Sequence, residues 1–146
     1  MYRTVLLAYD GSVAGRTAIR EGALLARQYG ARVYLLSVVS AGSIVAGDSL
    51  YPGAVAKHRE SVELVFREAL ERLRAMGFDP VGRIEAGDPI ETIARIADGI
   101  AADLVVVGHR RKNWFERLWS GGTTASLKAR LGCSLLVAQT AVGEEF

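Results

Sequence analysis

The sequence predicts an α/β fold, a single doubly wound sheet of five parallel strands with helices on both faces. Three observations point to it. Short aliphatic runs alternate with longer segments of helical apolar spacing from one end of the chain to the other, the order that a parallel sheet with helical crossovers requires. Turn-forming residues punctuate the boundaries, among them Asp10-Gly11, Gly30, Gly77, Asp88-Pro89 and Gly108. The 146 residues suit one domain, and neither an internal repeat nor a linker divides them.

Thr4 to Ala8 reads as a first buried strand, broken by Tyr9-Asp10-Gly11-Ser12. Ile19, Ala23, Leu24 and Ala26 then recur at helical spacing within Val13 to Tyr29, and Gly30 stands where a left-handed C-terminal cap is wanted. Arg32 to Val39 is a second strand, rich in β-branched and aliphatic residues. Residues 40–53 are small and turn-forming, closed by Pro52-Gly53, and are expected to form a ligand lid or crossover rather than a linker.

Ala54 to Met76 forms an amphipathic helix with Val55, Val62, Val65, Phe66, Ala69, Leu70 and Leu73 on one face. Arg and Glu at helix-neighbour spacings make its other face a solvated surface, and His58 belongs to that surface. Gly77 ends it. Val81 to Ala86 is the weakest strand and is expected at a sheet edge. Asp88-Pro89-Ile90-Glu91 starts the next helix with an Asp cap, a first-turn Pro and an acid three residues after the cap. That helix runs through Ile93, Ile96 and Ala97 to about Ile100. Asp103 to Val107 is the fourth strand, a helix follows from about Gly122 to Leu131 with Gly132 as cap, and Ser134 to Ala138 is the last strand before a frayed tail.

Composition narrows the function. Half the residues are hydrophobic and 23% are charged, which excludes disorder as a description of the chain. A net charge of +2 leaves no concentrated basic face for nucleic acid; only Arg110, Arg111 and Lys112 cluster. The N-terminal apolar run is too short for a signal peptide, and no segment reaches the roughly 18 apolar residues of a membrane span, so the chain is expected in the cytoplasm. The single cysteine, Cys133, reads as a small apolar group beside a strand. No zinc-ligand spacing, nucleophile triad or Walker lysine loop is present, so a dedicated enzyme is the weaker expectation.

In such sheets ligands sit beyond the carboxyl ends of the strands, at the point where strand order reverses. Asp10-Gly11, Val38-Val39 and Gly108 are expected there. From Gly108 a loop with Arg110, Arg111, Lys112, Arg117, Trp114, Phe115 and Trp119 runs to Gly121-Gly122-Thr123-Thr124. A strand feeding a Gly-ended loop and a helix start is suited to phosphates, because the outward N–H groups of a helix N-terminus attract anions. The aromatic trio is expected to cover core or meet a partner rather than to read bases.

Three segments, in order and correctly spaced, resemble the universal stress protein family over essentially the whole chain. They are Val5-Leu-Leu-Ala-Tyr-Asp10-Gly11-Ser12, Ala102-Asp103-Leu-Val-Val-Val-Gly108-His109-Arg110, and Leu127-Lys-Ala-Arg-Leu-Gly-Cys133-Ser-Leu-Leu-Val-Ala. The resemblance implies a Rossmann-like sheet of the adenine nucleotide alpha hydrolase-like kind, in strand order 3-2-1-4-5, dimerising through the last strand. It also implies an adenine nucleotide, ATP with Mg²⁺, as cofactor. Ala8, Asp10 and Val38 would meet the nucleoside, Asp10 accepting from ribose hydroxyls and Val38 bordering the base. Gly108, His109, Arg110, Gly121, Gly122 and Thr123 would meet the phosphates.

The family's nucleotide-binding branch has the pattern Gly, two residues, Gly, nine residues, Gly, then Ser or Thr. Gly108 and Gly121 occupy the first and third positions, whereas Arg111 and Gly122 stand at the second and fourth. Thr123 offers a neighbouring hydroxyl. His109 and Trp114-Phe115 are similar to the UspA-type branch, which is associated with not binding ATP. Two readings follow: a regulatory ATP-binding module with at most slow hydrolysis, or a dimeric interaction protein that holds no nucleotide. As a turn residue, Asp10 has an alternative role in capping the following helix.

Overall fold

The computed structural model describes residues 1–10, 13–39, 54–108 and 126–139. Within them the chain forms β1 (Thr4–Ala8), α1 (Val13–Tyr29), β2 (Arg32–Val39), α2 (Ala54–Ala75), β3 (Val81–Ala86), α3 (Pro89–Gly99), β4 (Leu104–Gly108), α4 (Leu127–Arg130) and β5 (Ser134–Ala138). The five strands make one sheet in the order β3-β2-β1-β4-β5, and every pairing is parallel. The architecture expected from the alternation of elements is the one observed.

Strand periodicity divides the core in two. Val5 and Leu7 of β1, Val33 and Leu35 of β2, and Leu104 and Val106 of β4 face one side, where Ile19, Ala23 and Ala26 of α1 and Phe66, Ala69 and Leu73 of α2 cover them. Leu6, Ala8, Leu36, Val105 and Val107 face the other, against Ile93, Ile96 and Ala97 of α3 and Leu127 of α4. Because the central strands are covered on both faces they read as continuous apolar runs rather than alternating ones. Fully burying each such Leu, Ile or Val stabilises the fold by about 1.5–3 kcal/mol.

Local chemistry fixes the ends of the helices. Asp88 caps α3, its side chain accepting from the Glu91 N–H at 3.0 Å with Pro89 in the first turn, as the sequence predicts. At the end of α1 the Gly30 and Ala31 N–H groups donate back to Arg27 and Ala26 carbonyls, with Gly30 at φ 61°. Gly77 closes α2 in the same way at φ 92°. These are left-handed caps that satisfy the last carbonyls of a helix. The end of α3 repeats the pattern without glycine: Ala101, at φ 52°, donates to Asp98 and Ala102 donates to Ala97.

Four expectations are corrected in detail. Leu24 points outward, 45% exposed, and Leu25 packs on the core instead; the inner stripe of α1 runs through Ile19, Ala23 and Ala26, and Leu24 lies off it. Asp103 precedes β4 instead of starting it. Its side-chain oxygen accepts from the Arg3 N–H at 2.7 Å and the Thr4 N–H at 2.8 Å, tying the entry of β1 to that of β4. Gly132 does not adopt a left-handed conformation, because Leu131 leaves α4 with extended backbone, φ −82° and ψ 132°. Val38, Val39 and Gly108 are the closing residues of their strands, not residues beyond them.

The proposed start of the last helix near Gly122, the 40–53 connection, the tail beyond Gln139 and the side chains of Val55 and His58 lie outside the described residues. Cys133 is half-buried and packs against the α3 side of the sheet. Burial pushes its thiol pKa up, and the nearby Asp103 carboxylate adds to the shift, consistent with a packing rather than a reactive role. No helix among the described residues is long and apolar enough to cross a membrane.

Candidate functional site

The carboxyl ends of the parallel strands share one edge of the sheet. Ala8 is in register with Leu36 of β2 and Val107 of β4, and Gly108 with Ala138 of β5. From β1 the chain builds outward to β2 and β3 and then crosses to β4 on the other side of β1. Strand order therefore reverses between β1 and β4, where open α/β sheets leave a crevice.

A small cleft opens at this edge, lined by Ala8, Tyr9, Asp10, Leu36, Val38 and Ile93. Backbone bonds hold its floor. The Tyr9 N–H donates to the Leu36 carbonyl at 2.8 Å, and the buried Ser37 hydroxyl donates to the Tyr9 carbonyl at 2.6 Å. Both polar groups of Tyr9 are thus bound to β2, so β1 leaves the sheet along one path and carries Asp10 to the mouth of the cleft. On the far side, the Gly87 N–H donates to the Val39 carbonyl at 3.0 Å, which draws the start of α3 and Ile93 toward the same edge.

Asp10 is exposed, and the first turn of α1 lies against it. A Cβ placed on Gly15 would stand 2.8 Å from the Asp10 Oδ1 and 2.8 Å from the Tyr9 ring, closer than side-chain carbons come in practice. Glycine at this position permits the approach. The cleft therefore combines an apolar strip from Ala8, Leu36, Val38 and Ile93 with one carboxylate at its rim. The described residues enclose only about 20 Å³ here, so the strip can border one edge of a flat apolar ring without enclosing it, and a carboxylate accepts hydrogen bonds from hydroxyl groups.

Of the residues picked from the sequence, the structure brings Ala8, Asp10 and Val38 to this cleft and sets Gly108 at the end of β4 on the same sheet edge. His109, Arg110, Gly121, Gly122 and Thr123, and with them Arg111, Trp114, Phe115 and Trp119, lie outside the described residues. Tyr9, Ser37, Ile93 and Gly15 were not picked. Ser37 carried a usable signal: a hydroxyl inside the run Leu35-Leu36-Ser37-Val38 must find a buried acceptor. Among the described residues no three His, Cys, Asp or Glu side chains gather as a metal site.

A parallel sheet with a cleft at its switch point places the chain among the doubly wound α/β proteins, whose ligands sit at the carboxyl edge. Comparison with known proteins makes the assignment specific. The profile of the Universal stress protein family matches residues 1–139. A protein from Thermus aquaticus, the universal stress protein in the QAH/OAS sulfhydrylase 3′ region, is 30% identical over 94% of this chain and 98% of its own length. Among solved structures, MJ0577 superposes with a TM-score of 0.73 at 20% identity, covering 96% of this chain and 97% of its own. A universal stress protein in complex with cAMP superposes with a TM-score of 0.68 at 24% identity, covering 93% and 96%. The chain belongs to the universal stress protein family.

Proposed function

We propose that this protein is a regulatory adenine-nucleotide-binding module of the cytoplasm, acting in the stress response and taking ATP with Mg²⁺ at the carboxyl edge of the sheet. The observation that carries the reading is the cleft of Ala8, Asp10, Leu36, Val38 and Ile93, whose apolar strip and single rim carboxylate suit a purine and its ribose. Val38 borders the base, Ala8 leaves room beside it, and Asp10 accepts from the ribose hydroxyls. The solved relative in complex with cAMP supports an adenine ligand of the same chemistry.

The phosphates extend from there toward Gly108. His109, Arg110, Gly121, Gly122 and Thr123 are the chain's candidates to hold them, with backbone N–H groups and guanidinium charge as the donors. Bound on the phosphates, Mg²⁺ supplies neutralising charge. Any turnover is expected to be slow, with no pair among the described residues placed to position an attacking water.

A second reading is favoured by Arg111 and Gly122, which stand where the family's nucleotide-binding pattern has Gly and Ser or Thr. In it the protein is a dimeric, UspA-type interaction protein without nucleotide. Both readings include a homodimer through β5, the edge strand whose Leu135, Leu136 and Val137 are only partly buried. Unpaired strand edges favour pairing with another chain. Light scattering that shows a monomer at all concentrations would remove the dimer.

Calorimetric titration with Mg-ATP and with cAMP, repeated on Gly121→Val, separates the two readings. Micromolar binding abolished by the substitution supports the nucleotide module. Absence of heat up to millimolar nucleotide, with folded protein free of copurified ligand, leaves the interaction protein.

A further inference from the structure

On the opposite face of the sheet, α1 and α2 diverge around a groove of about 330 Å³. That volume reaches the lower end of the roughly 300–1,000 Å³ typical of small-molecule sites. Its walls are apolar: Ile19 from α1, Val65 and Ala69 from α2, and Met76 just past the end of α2, all part of the core on that side or packed against it. Residues 65, 69 and 72 recur at helical spacing, so they form one stripe of α2 that Met76 continues past the helix end. Met76 adds an unbranched, adaptable side chain at one end.

The rim is cationic. Arg16 and Arg20 stand one turn apart on α1 and Arg72 lies on α2, while Glu68 is the one acid among the described lining residues. Guanidinium groups outnumber carboxylates among the described lining residues, among them the exposed Arg16 and Arg72, and guanidinium forks match carboxylate or phosphate oxygens. The Tyr9 side chain belongs to this groove as well as to the strand-end cleft. The cleft is otherwise built mainly from the α3 side of the sheet, and among the described residues the two spaces share Tyr9 alone.

We propose that the α1–α2 groove is a second ligand site, for an amphipathic anion whose apolar body lies on Ile19, Val65, Ala69 and Met76 and whose acidic head meets Arg16, Arg20 and Arg72. The site is separate from the nucleotide reading and does not depend on it.

Decanoate is a suitable probe, with decyltrimethylammonium as the partner of equal apolar length and opposite charge. Titration calorimetry on the intact protein should give one-to-one decanoate binding in the micromolar range. The cationic probe should bind at least about tenfold more weakly. Arg16 and Arg72 are exposed, so Arg16→Glu and Arg72→Glu keep the fold, checked by circular dichroism, and each should weaken decanoate by about tenfold or more. Asp10→Ala should leave decanoate affinity unchanged, and amide shifts should centre on α1 and α2. No heat at about 1 mM decanoate, equal binding of the two probes, indifference to both Arg substitutions, or shifts centred on Ala8, Asp10 and Val38 would each overturn the proposal.

Discussion

The two ends of the sheet are built on different plans. At the amino ends the chain turns back quickly, through residues 30–31 into β2, 76–80 into β3, 100–103 into β4 and 131–133 into β5. Three of these returns are closed by the same pair of backbone bonds, at Gly30, Gly77 and Ala101. At the carboxyl ends the connections 9–12 and 87–88 are also short, but residues 40–53 separate β2 from α2, and 109–126 stand between β4 and α4. Short returns leave few backbone groups unpaired, whereas long ones can vary in sequence without disturbing the sheet.

Two aspartates show the same division. Asp103, at the amino edge, gives a carboxylate oxygen to two main-chain N–H groups and so ties β1 to β4. Asp10, at the carboxyl edge, is carried out to the cleft by a strand whose last polar groups are already bound. On the proposed function, the tie that holds the strands together and the cleft lie at opposite edges, so a substitution at one edge should leave the other property largely intact.

The tie beneath the cleft is the sharpest place to break that division, because it serves both. Ser37→Ala removes the donor to the Tyr9 carbonyl without adding bulk at this buried position. A buried acceptor left without its partner costs about 1–3 kcal/mol, so the unfolding free energy from urea titration should fall by that amount and nucleotide affinity should fall with it. A variant as stable as the parent would mean that another donor reaches Tyr9.

Gly15→Ala tests binding alone. The added Cβ crowds Asp10 Oδ1 and Tyr9, and Mg-ATP affinity should drop about tenfold, roughly 1.4 kcal/mol. Stability should move less, since alanine's better helix propensity of about 1 kcal/mol offsets the crowding. Unaltered affinity would take Asp10 out of the sugar site.

At the amino edge, Ala101→Gly should have a smaller effect of opposite sign. It relieves a left-handed alanine at φ 52°, worth about 1–2 kcal/mol, less the roughly 0.4–1 kcal/mol of extra freedom in the unfolded chain. A net gain of up to about 1 kcal/mol in thermal or urea unfolding is expected, with nucleotide binding unchanged.

The smallest effect is expected from Asp103→Asn and carries a pH signature. Hydrogen bonds from the Arg3 and Thr4 amides hold the Asp103 carboxyl below its ordinary range. A folded value below the unfolded one of about 3.9 contributes stability at neutral pH that is lost as pH falls through the folded value. The stability gap between the parent and Asp103→Asn should therefore be constant from pH 7 to about 5 and narrow below about 4. A gap that is the same at pH 3 and pH 7 would assign the effect to packing.

Most of the carboxyl edge was legible in the sequence and much of the amino edge was not. Strand ends followed by Asp10-Gly11 or Gly108 announce a crevice, because aliphatic runs are easy to bound and parallel sheets place their ligands predictably. Asp88 announced its cap because Pro89 and Glu91 accompany it at fixed offsets. Ala101 gave no signal, since alanine has no preference for a left-handed turn, and Asp103 read as the start of a strand because its partners are far away in sequence. Helical spacing left Leu24 and Leu25 as neighbours competing for one face, and only the packing of α1 on β1 and β4 selects Leu25. Tyr9 and Ile93 reach the cleft through tertiary placement, which no local pattern encodes.

The Asp103 tie also bears on the order in which the protein assembles. Thr4 pairs with Arg32 in β2, whereas its bond to Asp103 spans 99 residues. Closing the longer loop costs about 1 kcal/mol more chain entropy, so β1 and β2 should join before β4 docks. Loss of the Asp103 carboxylate should then quicken unfolding and leave the refolding rate nearly unchanged, which stopped-flow kinetics of Asp103→Asn would show. A slowed refolding limb would put the β1–β4 seam in the nucleus instead.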